Sequence, residues 1–158
     1  MQNLYNTKGV SLVRNLLILF VLIISIVKGN ILRVSTTGND ESGDGSANNP
    51  FLTIQKGIDE ASSMDTVLVL NGIWQGGVTI DNKQITLMGE SMDDTKLNIP
   101  TTVPNISVLN NDDTVRVENF KIKRGNAELG GSAMYISNSK IVAKNLDLSN
   151  NTGLHGGA

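Results

Sequence analysis

Two stretches decide the architecture: Val115-Arg116-Val117-Glu118-Asn119-Phe120-Lys121-Ile122 and Ile141-Val142-Ala143-Lys144-Asn145-Leu146-Asp147-Leu148. Laid over each other at a shift of 26 residues, they match apolar to apolar at four positions and Asn119 to Asn145. The same shift carries Gly130-Gly131 onto Gly156-Gly157, so a second landmark keeps register. Self-similarity at a fixed period marks a repeat architecture. A unit of roughly 25 residues holding two or three short strands suits one turn of a parallel β-solenoid, with neighbouring turns about 4.8 Å apart. In such a turn alternate apolar side chains point inward as stacked rows. The amide of Asn119 would stack on that of Asn145 at a corner, and the glycine pairs would supply corners with positive φ.

Outward from this pair, the chain beyond Met64 is a succession of short apolar bursts, at 67–70, 78–80, 85–88, 106–109, 115–117, 120–122, 134–136, 141–143 and 146–148, each bounded by Asn, Asp, Gly or Ser. Short strands between turn residues predict an all-β class. A strand is also expected at 32–35, followed by a loop of turn residues at 37–50. Thr53 then N-caps a segment in which Ile54, Ile58 and Ala61 recur at helical spacing, which predicts one amphipathic helix over 53–62. That helix would lid the first turn, whose apolar end and strand edges are otherwise open.

Several segments together resemble the opening of secreted right-handed parallel β-helix proteins of the pectin-lyase-like superfold. They are Arg33-Val34-Ser35-Thr36-Thr37-Gly38-Asn39-Asp40, Asp44-Gly45-Ser46, Asn49-Pro50-Phe51-Leu52-Thr53-Ile54-Gln55 and Asp65-Thr66-Val67-Leu68-Val69. Ile85-Thr86-Leu87-Met88-Gly89-Glu90 is similar to their next rung. Leu148-Ser149-Asn150-Asn151 followed by Gly156-Gly157-Ala158 resembles the repeats of polymorphic outer membrane proteins, which pair FxxN with GGA[IL]. Leu148 and Ile122 stand here for the Phe, and Gly130-Gly131-Ser132-Ala133 carries an insertion.

The resemblance covers nearly all of 32–158. It implies a right-handed parallel β-helix of about four rungs with a short N-terminal capping helix. Strand, polar loop and cap would occupy 30–64 and the rungs 65–158. Many such proteins are adhesins or have no known activity, and others are polysaccharide lyases or hydrolases, so fold alone does not choose. The lyases of the family that the chain resembles are similar to one another in placing carboxylates for Ca²⁺ and a Lys or Arg base on the outer face of central rungs, which are largely missing here. This chain stops on Gly-Gly-Ala in mid-motif, which predicts truncation at the C-terminus.

The N-terminus speaks to location. Residues 16–27 form a run of 12 in which only Ser25 is polar, preceded by Lys8 and Arg14 and with no acid before Asp40. That pattern predicts a signal peptide over 1–29, with an uncleaved anchor as the alternative, and hence a secreted or cell-surface protein. Without Lys8, Arg14 and Lys28 the mature chain holds 10 basic against 15 acidic residues, which argues against nucleic acid as a partner. Zero Cys and one His exclude thiol chemistry, Cys-ligated zinc and multi-His metal sites. Asn105-Ile106-Ser107 and Asn150-Asn151-Thr152 are glycosylation sequons, making Asn105 and Asn150 candidate glycan carriers.

Five groups of residues carry candidate chemistry. Asp40, Glu41 and Asp44, with Asn39, offer oxygen ligands of the kind Ca²⁺ accepts. The EF-hand template fails, because Phe51 falls where a bidentate Glu is needed, and solvated turn residues explain the cluster better. Asp93-Asp94 and Asp112-Asp113 are acid pairs that turn chemistry accounts for. Arg116, Lys121, Lys123, Arg124 and Lys144 are the cations available to a uronic-acid elimination, and a charged outer strand face explains them equally well. His155 has no partner fixed by spacing. Trp74 is either a packing residue at the first corner or a sugar-stacking platform.

Together these features favour a non-catalytic surface protein that binds a polysaccharide or a cell-surface glycoprotein, or that serves as an adhesive or structural element, with no cofactor. Weak ligand contacts are expected at Trp74, Lys121, Lys123 and Lys144. Self-association through an exposed C-terminal rung is also expected. The alternative is the N-terminal part of a pectate-lyase-like polysaccharide lyase or a glycoside hydrolase.

Overall fold

The computed structural model describes residue 14 and residues 29–99, 103–123, 126–127 and 133–153. In chain order the elements are β1 (Ile31–Val34), helix α1 (Ile54–Glu60), β2 (Thr66–Val69), β3 (Gly72–Gln75), β4 (Val78–Asp81), β5 (Thr86–Gly89) and β6 (Thr95–Ile99). They continue with β7 (Ile106–Ile122), β8 (Asn126–Ala127), β9 (Met134–Asp147) and β10 (Thr152–Gly153). All described strand pairs are parallel, and eight strands form one curled sheet, with β8 and β10 paired separately. Among the described residues no helix is long and apolar enough to cross a membrane.

Three ladders run through the sheet. The first stacks Leu32, Val67, Leu87, Val117 and Ala143 across β1, β2, β5, β7 and β9. The second stacks Trp74, Leu97 and Ile122 across β3, β6 and β7, and the third stacks Ile80, Val108 and Ile136 across β4, β7 and β9. β7 belongs to all three, pairing with β4, then β5, then β6 as it proceeds, so one strand runs along three sides of the curl. The apolar bursts at 106–109, 115–117 and 120–122 are therefore one continuous strand. Period-2 alternation puts Val67, Leu87, Val117, Ile80, Val108, Leu97 and Ile122 at 0% exposure in one core. That burial, at roughly 1.5–3 kcal/mol per large aliphatic side chain, is the main driving force for the curl.

The sheet turns its corners with asparagine. Asn82, Asn110 and Asn138 have φ of 48°, 52° and 48°, and each follows one member of the register Asp81, Leu109 and Ser137. Asn119 and Asn145 have φ of 63° and 51° at another corner. Asparagine enters the left-handed region more easily than other residues bearing a Cβ. The glycine pairs 130–131 and 156–157 proposed as corners lie outside the described residues.

The predicted period holds on two ladders and changes on the third. Val117 faces Ala143 and Lys121 faces Asp147 at 26 residues, whereas Val108 faces Ile136 at 28. The register jumps between Asn111 and Thr114, leaving Asp112 and Asp113 as two extra residues outside the ladder. β3 and β6 were not expected. Each presents one buried apolar side chain, Trp74 or Leu97, with one other apolar residue, Ile73 or Ile99, which is too sparse a pattern to read as a strand.

At the N-terminal end α1 packs on β1, β2 and β4. The N-cap is Thr53, whose Oγ1 accepts the Lys56 N–H at 3.2 Å, and the helix ends sooner than expected because Ala61 turns to ψ 136°. Ile54, Ile58 and Ala61 are buried beneath it. A Cβ on Gly57 would lie 2.7 Å from Val34 Cγ2 and 3.0 Å from Val67 Cγ1, so the absence of a side chain permits the close approach. The expected signal segment, 1–29, lies outside the described residues except for Arg14 and Gly29.

Candidate functional site

The second ladder carries the densest set of charged side chains on its outer side. Alternation sends Leu97 and Ile122 inward and their neighbours Lys96, Lys121 and Lys123 outward. Lys96, Lys121 and Asp147 face one another in register. Lys121 Nζ lies 3.4 Å from Asp93 Oδ1 and 3.8 Å from Asp147 Oδ2, and Lys123 Nζ lies 3.7 Å from the same Asp147 oxygen. Lys96 Nζ sits 3.8 Å from Asp94 Oδ1. The acid pair Asp93-Asp94 thus serves as counter-charge to a lysine column. Each lysine has three donors, and contacts of this length leave donors free for a ligand oxygen. The Asp147 carboxyl is held below its ordinary value by the Ser149 side chain and, more weakly, by the Ser149 N–H, Lys123 and Lys121, which together outweigh its desolvation.

The other expected cations stand elsewhere. Lys144 lies beyond the Asn119–Asn145 corner, exposed on the first ladder and in register with Glu118; Arg116 shares that outer face. The structure therefore brings Lys121 and Lys123 together and leaves Lys144 on a different side. Arg124 and His155 lie outside the described residues.

Of the two readings of Trp74, packing is the one its surroundings describe. Its ring is only 5% exposed, and Nε1 donates to Leu70 O at 3.0 Å, so ring and polar tip are both engaged in packing. Beside it a depression of about 240 Å³ is lined by Leu52, Ile54, Ile73 and Trp74 with Thr36, Thr53 and Gln75.

The two aspartates of the 37–50 loop have structural partners. Asp40 Oδ1 accepts the N–H groups of Leu52 and Thr53 at 2.8 and 3.0 Å, and Oδ2 accepts the Thr53 hydroxyl at 2.7 Å. Desolvation pushes the Asp40 carboxyl up, but these bonds and the nearby Lys56 outweigh it and hold the group below its ordinary value. Asp44 Oδ1 takes the Ser46 N–H at 2.8 Å, and the Glu41 N–H goes to Asn39 Oδ1 at 2.8 Å. The Asp40 and Asp44 carboxylates are thus taken up in separate turn bonds, and Glu41 joins the loop through its backbone N–H. Among the described residues no three acidic or histidine side chains converge on a point that could hold a metal.

Asn105 is 0% exposed, and a Cβ on Gly76 would collide with its amide, so the fold leaves no room for a glycan there. Asn150 is exposed in a turn with φ 60°.

Sequence reasoning missed Asp147 and the role of Asp93-Asp94. The signal was available, since Asp147 aligns with Lys121 at the 26-residue shift. No protein-family model, curated protein or solved structure matches this chain.

Proposed function

We propose that the chain is a secreted or cell-surface protein folded as a right-handed parallel β-helix of about four rungs, of the pectin-lyase-like superfold with repeats similar to those of polymorphic outer membrane proteins. It binds a polysaccharide or a cell-surface glycoprotein along an outer face, as an adhesive or structural element. Three parallel ladders with asparagine corners support the architecture. The observation that carries the binding reading is the outward column of Lys96, Lys121 and Asp147, flanked by Lys123. It offers donors and an acceptor at strand spacing, about 4.8 Å, along a surface that an extended glycan can follow. Asn150 is the glycan-bearing sequon of the two.

The test is retention of the purified chain on neutral and uronic polysaccharides. Binding to a uronic polysaccharide that weakens about tenfold when Lys121 and Lys123 are both changed to Ala supports the proposal, and absence of retention on every polysaccharide refutes it. Incubation with polygalacturonate and Ca²⁺ is expected to give no unsaturated uronide absorbance. Absorbance that Lys121→Ala or Lys144→Ala abolishes would establish a lyase instead.

A further inference from the structure

The outer side of the first ladder is not the polar surface that a solvated sheet face usually presents. In its middle, β2 sends out Thr66 and Leu68 and β5 sends out Thr86 and Met88, and none of the four carries a charge. Ile31 and Met64, 52% and 49% exposed, and Val142, 38% exposed, extend the apolar area. Beside Met64 a depression of about 160 Å³ is lined by Gln84, Thr86, Thr114 and Arg116.

Charge is confined to the strands that flank this centre. The register makes one outward row of Arg33, Leu68, Met88 and Glu118, so a base and an acid stand at equal steps on either side of the line between β2 and β5. The neighbouring row is Ile31, Thr66, Thr86 and Arg116, and β9 continues the two rows with Lys144 and Val142. Among the described residues neither Arg33 nor Glu118 forms an ion pair.

We propose that this face joins two copies of the chain in a dimer whose two-fold axis runs along the strands, between β2 and β5. That rotation reverses the order of the strands and sets each outward row against itself. Arg33 of each copy meets Glu118 of the other, Leu68 covers Met88, Thr66 lies on Thr86, and Met64 reaches the depression beside Gln84 of the other copy. The row is its own complement in charge, which is what makes a second copy the occupant. A centre without charge and a charged rim is also how interfaces are built. An axis along the stack would instead set Arg33 against Ile31 and leave its charge unmatched. Four strands at about 4.8 Å make a face of modest area, so the dimer exchanges with monomer. The column of Lys96, Lys121 and Asp147 lies on another side of the curl and stays uncovered, so the inference goes beyond the glycan reading and does not depend on it.

Sedimentation velocity of the purified chain, from about 1 μM to about 500 μM, should show a monomer–dimer equilibrium. Arg33→Glu and Glu118→Arg are each expected to raise the dissociation constant about tenfold, because each sets like charges against one another. Mixed in equal amounts, the two variants should associate as the unaltered chain does, since the mixed dimer restores both ion pairs. The double variant should likewise pair with itself. Such rescue also shows that the variants are folded, which circular dichroism checks for each alone. A monomer at every concentration overturns the proposal. So does a dimer that neither substitution weakens, which would place the contact elsewhere on the molecule. Folded variants that are weakened but not rescued by mixing overturn it too, because Arg33 and Glu118 would then not face each other.

Discussion

Asn145 Nδ2 donates to Asn119 Oδ1 at 3.1 Å, and both residues hold left-handed backbone at the same corner of successive strands. Each asparagine therefore does two things at once: it turns the chain and it ties one strand to the next.

The two roles separate by substitution. Asn119→Ala loses the amide bonds and places an alanine at φ 63°, with an expected cost of about 2 kcal/mol. Asn119→Gly loses only the amide, and about 1 kcal/mol is expected. Urea unfolding midpoints of the two variants check this, and equal losses would show that the backbone requirement is unimportant.

Gly57→Ala sets two effects against each other. Helix propensity gains up to about 1 kcal/mol, while forcing a methyl to within 2.7 Å of Val34 Cγ2 costs about 1–3 kcal/mol. A lowered melting temperature is expected. Combining it with Val34→Ala should restore part of the loss relative to the sum of the two single changes, because the residues are in contact.

Lys83 Nζ donates to Ile58 O and Asp59 O at 2.7 and 2.9 Å, holding the end of α1 to the segment between β4 and β5. Lys83→Met removes a cation from carbonyls at a helix C-terminus and is expected to cost about 1 kcal/mol. Hydrogen exchange of the Ala61 amide, which bonds to Gly57 O, should quicken more than that of Val117 in the sheet core.

The Asp40 carboxyl lies below its ordinary value of 3.8, so its contribution to stability is complete above that pH and is lost as pH falls through the lower, folded-state value. Asp40→Asn should destabilise the chain at neutral pH. The gap between it and the wild type should then close as pH falls from about 6 to about 2. A gap that stayed constant over this range would mean that the charge of Asp40 plays no part in holding the loop to Thr53.

The stacking of strands was legible in the sequence because inner rows repeat: Val115, Val117, Phe120 and Ile122 return as Ile141, Ala143, Leu146 and Leu148. The helix was legible because Thr53 caps a segment with apolar residues at helical spacing. β3 and β6 were not, since each buries a single large apolar side chain, Trp74 or Leu97, and one such residue carries almost no periodic signal. The candidate site was half legible. Lys121 and Lys123 alternate visibly with Phe120 and Ile122, but their carboxylate partners come from Asp93 and Asp147, which are distant in the chain and adjacent only once the rows are stacked. Trp74 left two readings open in the sequence, packing at a corner or a contact surface, and the curl places it inside.

The two residues that β7 carries beyond its partner between Asn111 and Thr114 separate chain length from stacking. The sides of the curl must match atom for atom, but this corner already accommodates unequal lengths and faces water. It is therefore the joint at which a loop can be lengthened, or a reporter peptide grafted, while every row on either side stays aligned. In this fold the spacing between repeats is a property of the corners, and only the rows are invariant.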